Sequence, residues 1–213
     1  MKDYLPEFAS KMKAANLDEI VIETFGNYYH QALRGETGLI YDRDIQPVDL
    51  NEIQELGNLD IYQDQGEKAF DQAVRIVLNG GLGTSMGLTG PKSLIEVKSG
   101  QSFLDVIMKQ AQNSKVKLLF MNSFNTHDDT LAALSKISTK FQPLCFIQNK
   151  FPKVLQKNYA PASWPPDPKL EWNPPGHGDV FTALYASGML QQLLDENIQY
   201  AFISNSDNLG ARM

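Results

Sequence analysis

The stretch that most constrains this chain runs from Arg75 to Lys92. Arg75-Ile76-Val77-Leu78 is a short apolar run, and it passes at once into Asn79 and glycines at 80, 81, 83 and 87, then Gly90-Pro91-Lys92. A buried strand feeding a glycine-rich loop is the simplest reading. Glycines let the backbone approach a ligand closely and turn its N–H groups inward, which makes a cradle for phosphate oxygens. Lys92 adds a mobile point charge for the same phosphates. Two common versions of such a loop do not fit. Proline stands before Lys92, so the Gly-Lys-Ser/Thr entry into a helix is absent. Gly81, Gly83 and Gly87 give a Gly-x-Gly-x-x-x-Gly spacing, and no acidic residue closes a second strand about 20 residues on, as dinucleotide binding requires.

Further apolar runs follow the same rhythm. Val116 to Met121, Leu144 to Ile147 and Tyr200 to Ser204 read as strands. Residues 103–113 suit a helix. Thr126 or Asp128 is placed to cap a second helix running to Ile137, and apolar residues from Asp179 to Glu196 recur at helical spacing. Strands alternating with helices predict an α/β fold with a mainly parallel sheet. Residues 1–33 read as helical, and 39–66 as a polar, irregular arm. The chain thus divides into an N-terminal helical segment and arm (residues 1–66) and an α/β part (67–213). Prolines between 161 and 175 forbid a regular element there and predict a long structured loop.

Charge and cysteine content narrow the function class. The net charge of −6 argues against general affinity for nucleic acid or an anionic membrane. No segment approaches the apolar run of about 18 residues that a membrane span needs, and the charged N-terminus lacks a secretory apolar region. The lone Cys145 cannot form an intrachain disulfide, and its setting reads as a buried strand with an inert thiol. A cytoplasmic protein is expected.

Four more motifs leave the predicted strands or precede a helix. Met121-Asn122-Ser123-Phe124-Asn125-Thr126-His127 ends the second strand, where a helix cap and a ligand contact are both open readings. Phe146-Ile147-Gln148-Asn149 ends the third; the Gln148 amide donates and accepts at once, which suits a base edge or a turn. Asn173-Pro174-Pro175-Gly176-His177-Gly178-Asp179 bares the backbone around His177, and Asp179 is placed to cap the next helix. Ser204-Asn205-Ser206-Asp207-Asn208-Leu209-Gly210 ends the fourth strand, and Asp207 there is either a hard-oxygen ligand or an Asx-turn residue. In parallel sheets, ligands bind where loops leave the carboxyl ends of strands, and these unusual loops gather at such ends.

Taken together and in this order, the motifs from residue 66 onward resemble the UDP-glucose pyrophosphorylase (UTP–glucose-1-phosphate uridylyltransferase) family. Ser85-Met86 in the glycine loop favours the glucose branch over relatives that handle UDP-N-acetylhexosamine. The resemblance implies a glycosyltransferase-A-like, Rossmann-like nucleotidyltransferase fold. It implies the conversion of UTP and glucose 1-phosphate into UDP-glucose and pyrophosphate, with Mg²⁺. On that basis Leu78, Gly80, Gly81, Gly83 and Thr84 would line the nucleotide, and Lys92 would hold phosphate charge as the catalytic cation. Gln148, Gly176 and Gly178 would meet the uracil, His177 and Asn205 the sugar phosphate, and Asp207 the metal. The resemblance also implies a longer chain, with a further phosphate-binding lysine outside this sequence. A strand at 200–204 would then lack a neighbour, so marginal stability or self-association is expected.

Overall fold

The computed structural model describes residues 2–213 apart from 84–86, 88, 89 and 140. Helices α1 (Leu5–Ala14), α2 (Glu19–Leu33) and α3 (Gln63–Phe70) precede strand β1 (Ala73–Asn79). A small hairpin of β2 (Glu96–Lys98) and β3 (Gln101–Ser102) leads into α4 (Phe103–Gln112) and β4 (Lys117–Asn122). Then come α5 (His127–Leu134), β5 (Leu144–Ile147), the short pair β6 (Phe151–Pro152) and β7 (Trp172–Asn173), α6 (Val180–Ala186), α7 (Met189–Asp195) and β8 (Tyr200–Asn205).

The main sheet has the order β5-β4-β1-β8, and each neighbouring pair is parallel. Side chains alternate along β1 with the period of two that a strand imposes. Val74, Ile76 and Leu78 pack with Val180, Ala183, Leu184 and Leu193 of α6 and α7. Val77, on the other face, packs with Leu104, Ile107 and Met108 of α4 and Leu134 of α5. The result is a helix–sheet–helix sandwich, as the alternation of elements predicts. Arg75 lies on the α4 face, almost fully buried, and donates from Nη1 to Gln110 Oε1 at 3.2 Å. Its Nε and Nη2 have no partner among the described residues, and burial pulls the guanidinium pKa down.

From β1 the chain steps sideways through α4 to β4 and through α5 to β5. It then returns by α6 and α7, on the opposite face, to place β8 on the far side of β1. Right-handed crossovers demand this change of face when the direction of travel reverses. The direction of travel reverses between β1 and β8, so the loops after them leave adjacent strand ends, the topological switch point where such sheets bind ligands, and Leu209 beyond β8 packs on the α4 face.

Local departures from the expected elements have local causes. The helical run from Asp179 to Glu196 is two helices, parted at Gly188 with φ +74°. Both pieces face the same sheet, so the apolar spacing carries across the break unchanged. The N-terminal segment is likewise two helices, parted near Asn16 (φ +56°), with the Asp18 side chain accepting from the Ile20 N–H. The helix after β4 stops at Leu134, short of Ile137.

α1 and α2 form a separate aromatic core around Phe8, Phe25 and Tyr29, and it takes in Phe151, Tyr159 and Trp172 of the proline-rich loop. Tyr29 Oη donates to the Tyr159 carbonyl at 3.1 Å, and Lys11 pairs with Glu171. No regular element was expected between 161 and 175, yet β7 forms there because Trp172-Asn173, between Pro168 and Pro174, is free of proline and pairs with Phe151-Pro152; side chains hold much of the rest. Helix α3 runs across residues 66 and 67, and the arm before it stays in water, with Leu39, Ile40, Leu50 and Ile61 each more than 70% exposed. Cys145, half-buried on β5, has its thiol pushed up to about 11 by burial, which accords with an inert side chain. Among the described residues, no helix is long and apolar enough to cross a membrane.

Candidate functional site

Asn79 ends β1, and the loop beyond it folds back on itself. Gly83 N–H donates to the Gly90 carbonyl, Lys92 N–H donates to the Gly81 carbonyl at 3.0 Å, and Leu82 pairs with Pro91. Lys92 is thereby returned to the base of the loop, beside the end of β1, and opens a single 3-10 turn (Lys92–Leu94). The proline before it gives an extended backbone there, so no longer helix starts. Thr84, Ser85 and Met86 lie outside the described residues.

Lys92 meets Asp207 across the switch point. Its Nζ donates to Asp207 Oδ2 at 2.8 Å, although 115 positions separate the two residues in sequence. The Lys92 amine, above all, holds the Asp207 carboxyl below its usual range, and the neighbouring His177 adds to the effect. Both partners are about one-third exposed, so the pair is open to solvent and contributes on the order of 0–1 kcal/mol to stability. A lysine and a carboxylate from two distant loops thus meet at one strand junction, with His177 near enough to act on that carboxylate through space. Asn205, in register with Leu78, is exposed beside them. The Leu78 side chain sits in the core, and its carbonyl accepts from Ser206 N–H.

On the β4 side, Gln148 and Gly80 are in mutual contact. A Cβ built on Gly80 would stand 1.8 Å from Gln148 Nε2. Only glycine lets the Gln148 carboxamide lie across the base of the loop. That carboxamide is 5% exposed, and its Oε1 has no partner among the described residues. Its backbone N–H donates to the Asn122 carbonyl at 2.7 Å, which fixes it to the end of β4. Gly81, by contrast, would carry a Cβ into open space.

The Asn79–Thr130 region is a buried polar floor, where the sequence had left a helix cap and a ligand contact open for the motif after β4. Asn79 Nδ2 donates to Asn122 Oδ1 (2.8 Å) and to Thr130 Oγ1 (3.0 Å). Thr126 Oγ1 accepts from Ser123 N–H and donates to the Asn79 carbonyl, both at 2.9 Å. Thr126 does occupy the position before α5, yet its hydroxyl makes no cap bond. It is spent on joining β1 to the loop after β4. Asn122 Nδ2 also lies 3.2 Å from His127 Nδ1. The signal for this floor was an asparagine ending each of two adjacent strands, where a ladder no longer satisfies side-chain or main-chain groups.

The Gly176–Gly178 turn completes the site. Gly176 has φ +113° and ψ −174°, a region open essentially to glycine alone, and His177 and Gly178 are exposed beyond it. Asp179 follows, 6% exposed. It does not cap α6, as the sequence reading expected; its carboxylate accepts from Asn149 N–H (2.6 Å) and Asn149 Nδ2 (2.9 Å). Burial pushes its carboxyl up, partly offset by these two bonds. Every expected contact residue that lies within the described part is therefore on the carboxyl-end side of the sheet. A cleft of about 630 Å³, lined by Lys109, Asn113 and Lys115 among others, lies away from these residues at the far end of α4.

Among the described residues, no group of three or more His, Cys, Asp or Glu is placed to hold a metal ion. Asp207 is the carboxylate that faces Lys92, and its second oxygen is not engaged by that lysine. One carboxylate suits Mg²⁺, which keeps waters and takes its remaining oxygens from substrate phosphates.

The comparisons with known proteins agree with this fold. The family model described as UTP--glucose-1-phosphate uridylyltransferase matches residues 22–213. A uridylyltransferase of that name from Solanum tuberosum is 49% identical over 153 residues, covering 68% of this chain and 32% of its own length. The corresponding probable enzyme of Schizosaccharomyces pombe is 40% identical over 174 residues, covering 78% of this chain and 33% of its own. The UDP-glucose pyrophosphorylase of Leishmania major superposes with a TM-score of 0.88 at 38% identity, over 100% of this chain and 46% of that one. A Trypanosoma brucei structure gives 0.84 at 40% identity, over 99% and 46%. The chain spans about a third of the curated relatives it matches and under half of these solved structures. With its α/β sheet, its motifs at the strand ends and a family match over residues 22–213, the chain belongs to the UTP–glucose-1-phosphate uridylyltransferase family, the UDP-glucose pyrophosphorylases.

Proposed function

We propose that this chain is the nucleotide-binding part of a uridylyltransferase that makes UDP-glucose and pyrophosphate from UTP and glucose 1-phosphate. The observation that carries the reading is the meeting of Lys92 with Asp207, beside His177, at the switch point of the sheet. A cation and a carboxylate that pair in the free protein are the groups a phosphate chain and its counter-ion would separate. Structures of Leishmania major UDP-glucose pyrophosphorylase variants in complex with UDP-glucose support the same reading.

In the reaction, an oxygen of the sugar phosphate attacks the α-phosphorus of UTP in line. The new P–O bond forms as the α–β bridge breaks, and pyrophosphate leaves with the electron pair. The nucleophile is already ionised, so the protein's work is positioning and charge neutralisation. The loop backbone at Gly80, Gly81 and Gly83 lines the nucleotide and its phosphates, with Thr84 in the same loop. Lys92 turns from Asp207 to the phosphates and neutralises the charge that builds toward the leaving pyrophosphate. Gln148, with Gly176 and Gly178, orients the uracil; the unpartnered Gln148 Oε1 is an acceptor waiting for an imide N–H. His177 and Asn205 face the sugar phosphate. Asp207 would hold Mg²⁺, which when bound supplies positive charge to the phosphate oxygens.

A second reading, binding of UTP or UDP-sugar without turnover, is favoured by the share of the relatives that this chain covers. A uridylyltransferase for another hexose 1-phosphate is a variant of the first, tested by galactose and N-acetylglucosamine phosphates. We place the protein in the cytoplasm, and its partners are these small molecules rather than nucleic acid or membrane. Self-association would use β8, which pairs only with β1 among the described residues and exposes Tyr200 and Ile203.

The test is calorimetry with UTP and Mg²⁺ on wild type and Lys92→Ala, followed by pyrophosphate release with glucose 1-phosphate. Binding that Lys92→Ala abolishes supports the site, and turnover then separates enzyme from binding module. Equal binding by wild type and variant would overturn the assignment of Lys92.

A further inference from the structure

Asp179 is an aspartate at a helix N-terminus that declines the bond such residues usually make. A serine or asparagine would cap α6 without burying a charge, and burying a carboxylate is costly unless hydrogen bonds repay it. No cation is paired with Asp179 among the described residues. Both of its oxygens are instead committed to one residue of another loop, Asn149, through the main-chain N–H and the side-chain Nδ2. Asn149 directly follows Gln148, and Asp179 directly follows Gly178.

The loop after β5 and the turn before α6 thus meet through a single carboxylate. The first is anchored to the sheet, Gln148 N–H donating to the Asn122 carbonyl of β4 at 2.7 Å, and the second is closed on itself by Asp179 N–H donating to the Gly176 carbonyl at 3.2 Å. The bond from Asp179 to Asn149 therefore fixes the gap between the Gln148 carboxamide and the exposed His177–Gly178 backbone. We infer that Asp179 is a positioning residue, whose clamp on Asn149 sets the width of the slot that accepts a pyrimidine base and so governs base affinity without touching the ligand. The inference rests on the nucleotide-site reading above and adds a residue to it. Asp179→Ala removes both bonds. Asp179→Asn keeps an acceptor for the Asn149 N–H, and a flipped Asn149 amide restores the second bond.

The measurement is calorimetric affinity for two probes, UTP and inorganic tripolyphosphate, on wild type, Asp179→Ala, Asp179→Asn and Asn149→Ala. The clamp acts on the base, so Asp179→Ala weakens UTP by at least about tenfold, the loss of one to two hydrogen bonds, and leaves tripolyphosphate unchanged. Asp179→Asn restores most of the UTP affinity. Asn149→Ala loses UTP affinity in the same direction, which keeps the test alive should Asp179→Ala fail to fold. Equal loss of both probes would mark a merely structural residue and overturn the inference, as would unaltered UTP binding in Asp179→Ala and Asn149→Ala. Wild type that binds neither probe would instead overturn the nucleotide-site reading itself.

Discussion

Replacing Gly80 by alanine tests whether the glycine serves the loop's backbone or the neighbouring side chain. A Cβ at this position would stand 1.8 Å from Gln148 Nε2. The amide must retreat by roughly 1.2 Å to reach even the 3.0 Å that real Cβ atoms respect. Its own side chain is 5% exposed, so the move disturbs packed neighbours and costs about 1–3 kcal/mol. For a chain of this size that lowers the melting temperature by roughly 2–12 °C. Gly80 has no positive φ; the next atom, Gln148 Cδ at 3.0 Å, belongs to the same side chain, and Ser123 Cβ at 3.4 Å is in ordinary contact. The same substitution made in a Gln148→Ala background should then be neutral, or stabilising by up to about 1 kcal/mol through loss of unfolded-state freedom. Urea denaturation of the four proteins of the cycle reads the coupling directly. A coupling energy of about 1–3 kcal/mol supports the argument. If the two changes add to within about 0.5 kcal/mol, Gly80 is needed for its backbone alone and the contact with Gln148 is incidental.

Further outcomes follow from other contacts. Lys92→Ala should leave thermal stability within about 1 kcal/mol of wild type, because its pair with Asp207 is solvent-exposed, while UTP affinity collapses; an equal collapse in both would make the lysine structural. Arg75→Leu should raise stability by about 1–4 kcal/mol in the same urea assay, since it removes a buried guanidinium with two unpartnered nitrogens; destabilisation would mean that the arginine has a partner in solution. The Asp207 carboxyl is held low by Lys92, so its folded pKa lies below its unfolded value. Its contribution is full above about pH 4 and is lost as pH falls through the folded value. The melting difference between wild type and Asp207→Asn should therefore stay constant from pH 7 to 5 and vanish in stronger acid, and a difference that persists there would contradict the pairing. Gly176→Ala should cost on the order of 1–3 kcal/mol by thermal melting, from its glycine-only backbone angles; a neutral result would mean that the turn relaxes freely.

How much of this was legible in the residues differs between elements and contacts. β1 and β4 declared themselves as apolar runs because strands buried on both faces carry the signal in nearly every residue, and β5 and β8 at the sheet's edges kept apolar runs although both are partly exposed. The split at Gly188 was hidden because both helices present apolar residues to one sheet. Within the site, the glycines, Gln148, His177 and Asp207 could be named because their chemistry is unusual at strand ends. What Thr126 and Asp179 actually do could not. Both sit where a cap belongs, and the choice between a local bond and one to Asn79 or Asn149 depends on which loop lies nearby, a matter of tertiary distance. Lys92 and Asp207 were expected on the same ligand; their bond to each other depends on the fold bringing 115 positions together.

The central place of β1 also bears on motion. Every residue of β1 is buried, and it is flanked by β4 and β8 on its two sides. Its amides should be among the last to exchange with deuterium, opening only with the whole domain, whereas the 39–62 arm should exchange within the dead time. The site's first loop is thus rooted, at Asn79, in the strand with the greatest cover on both sides, and protection gained on ligand binding should begin after Asn79 rather than within β1.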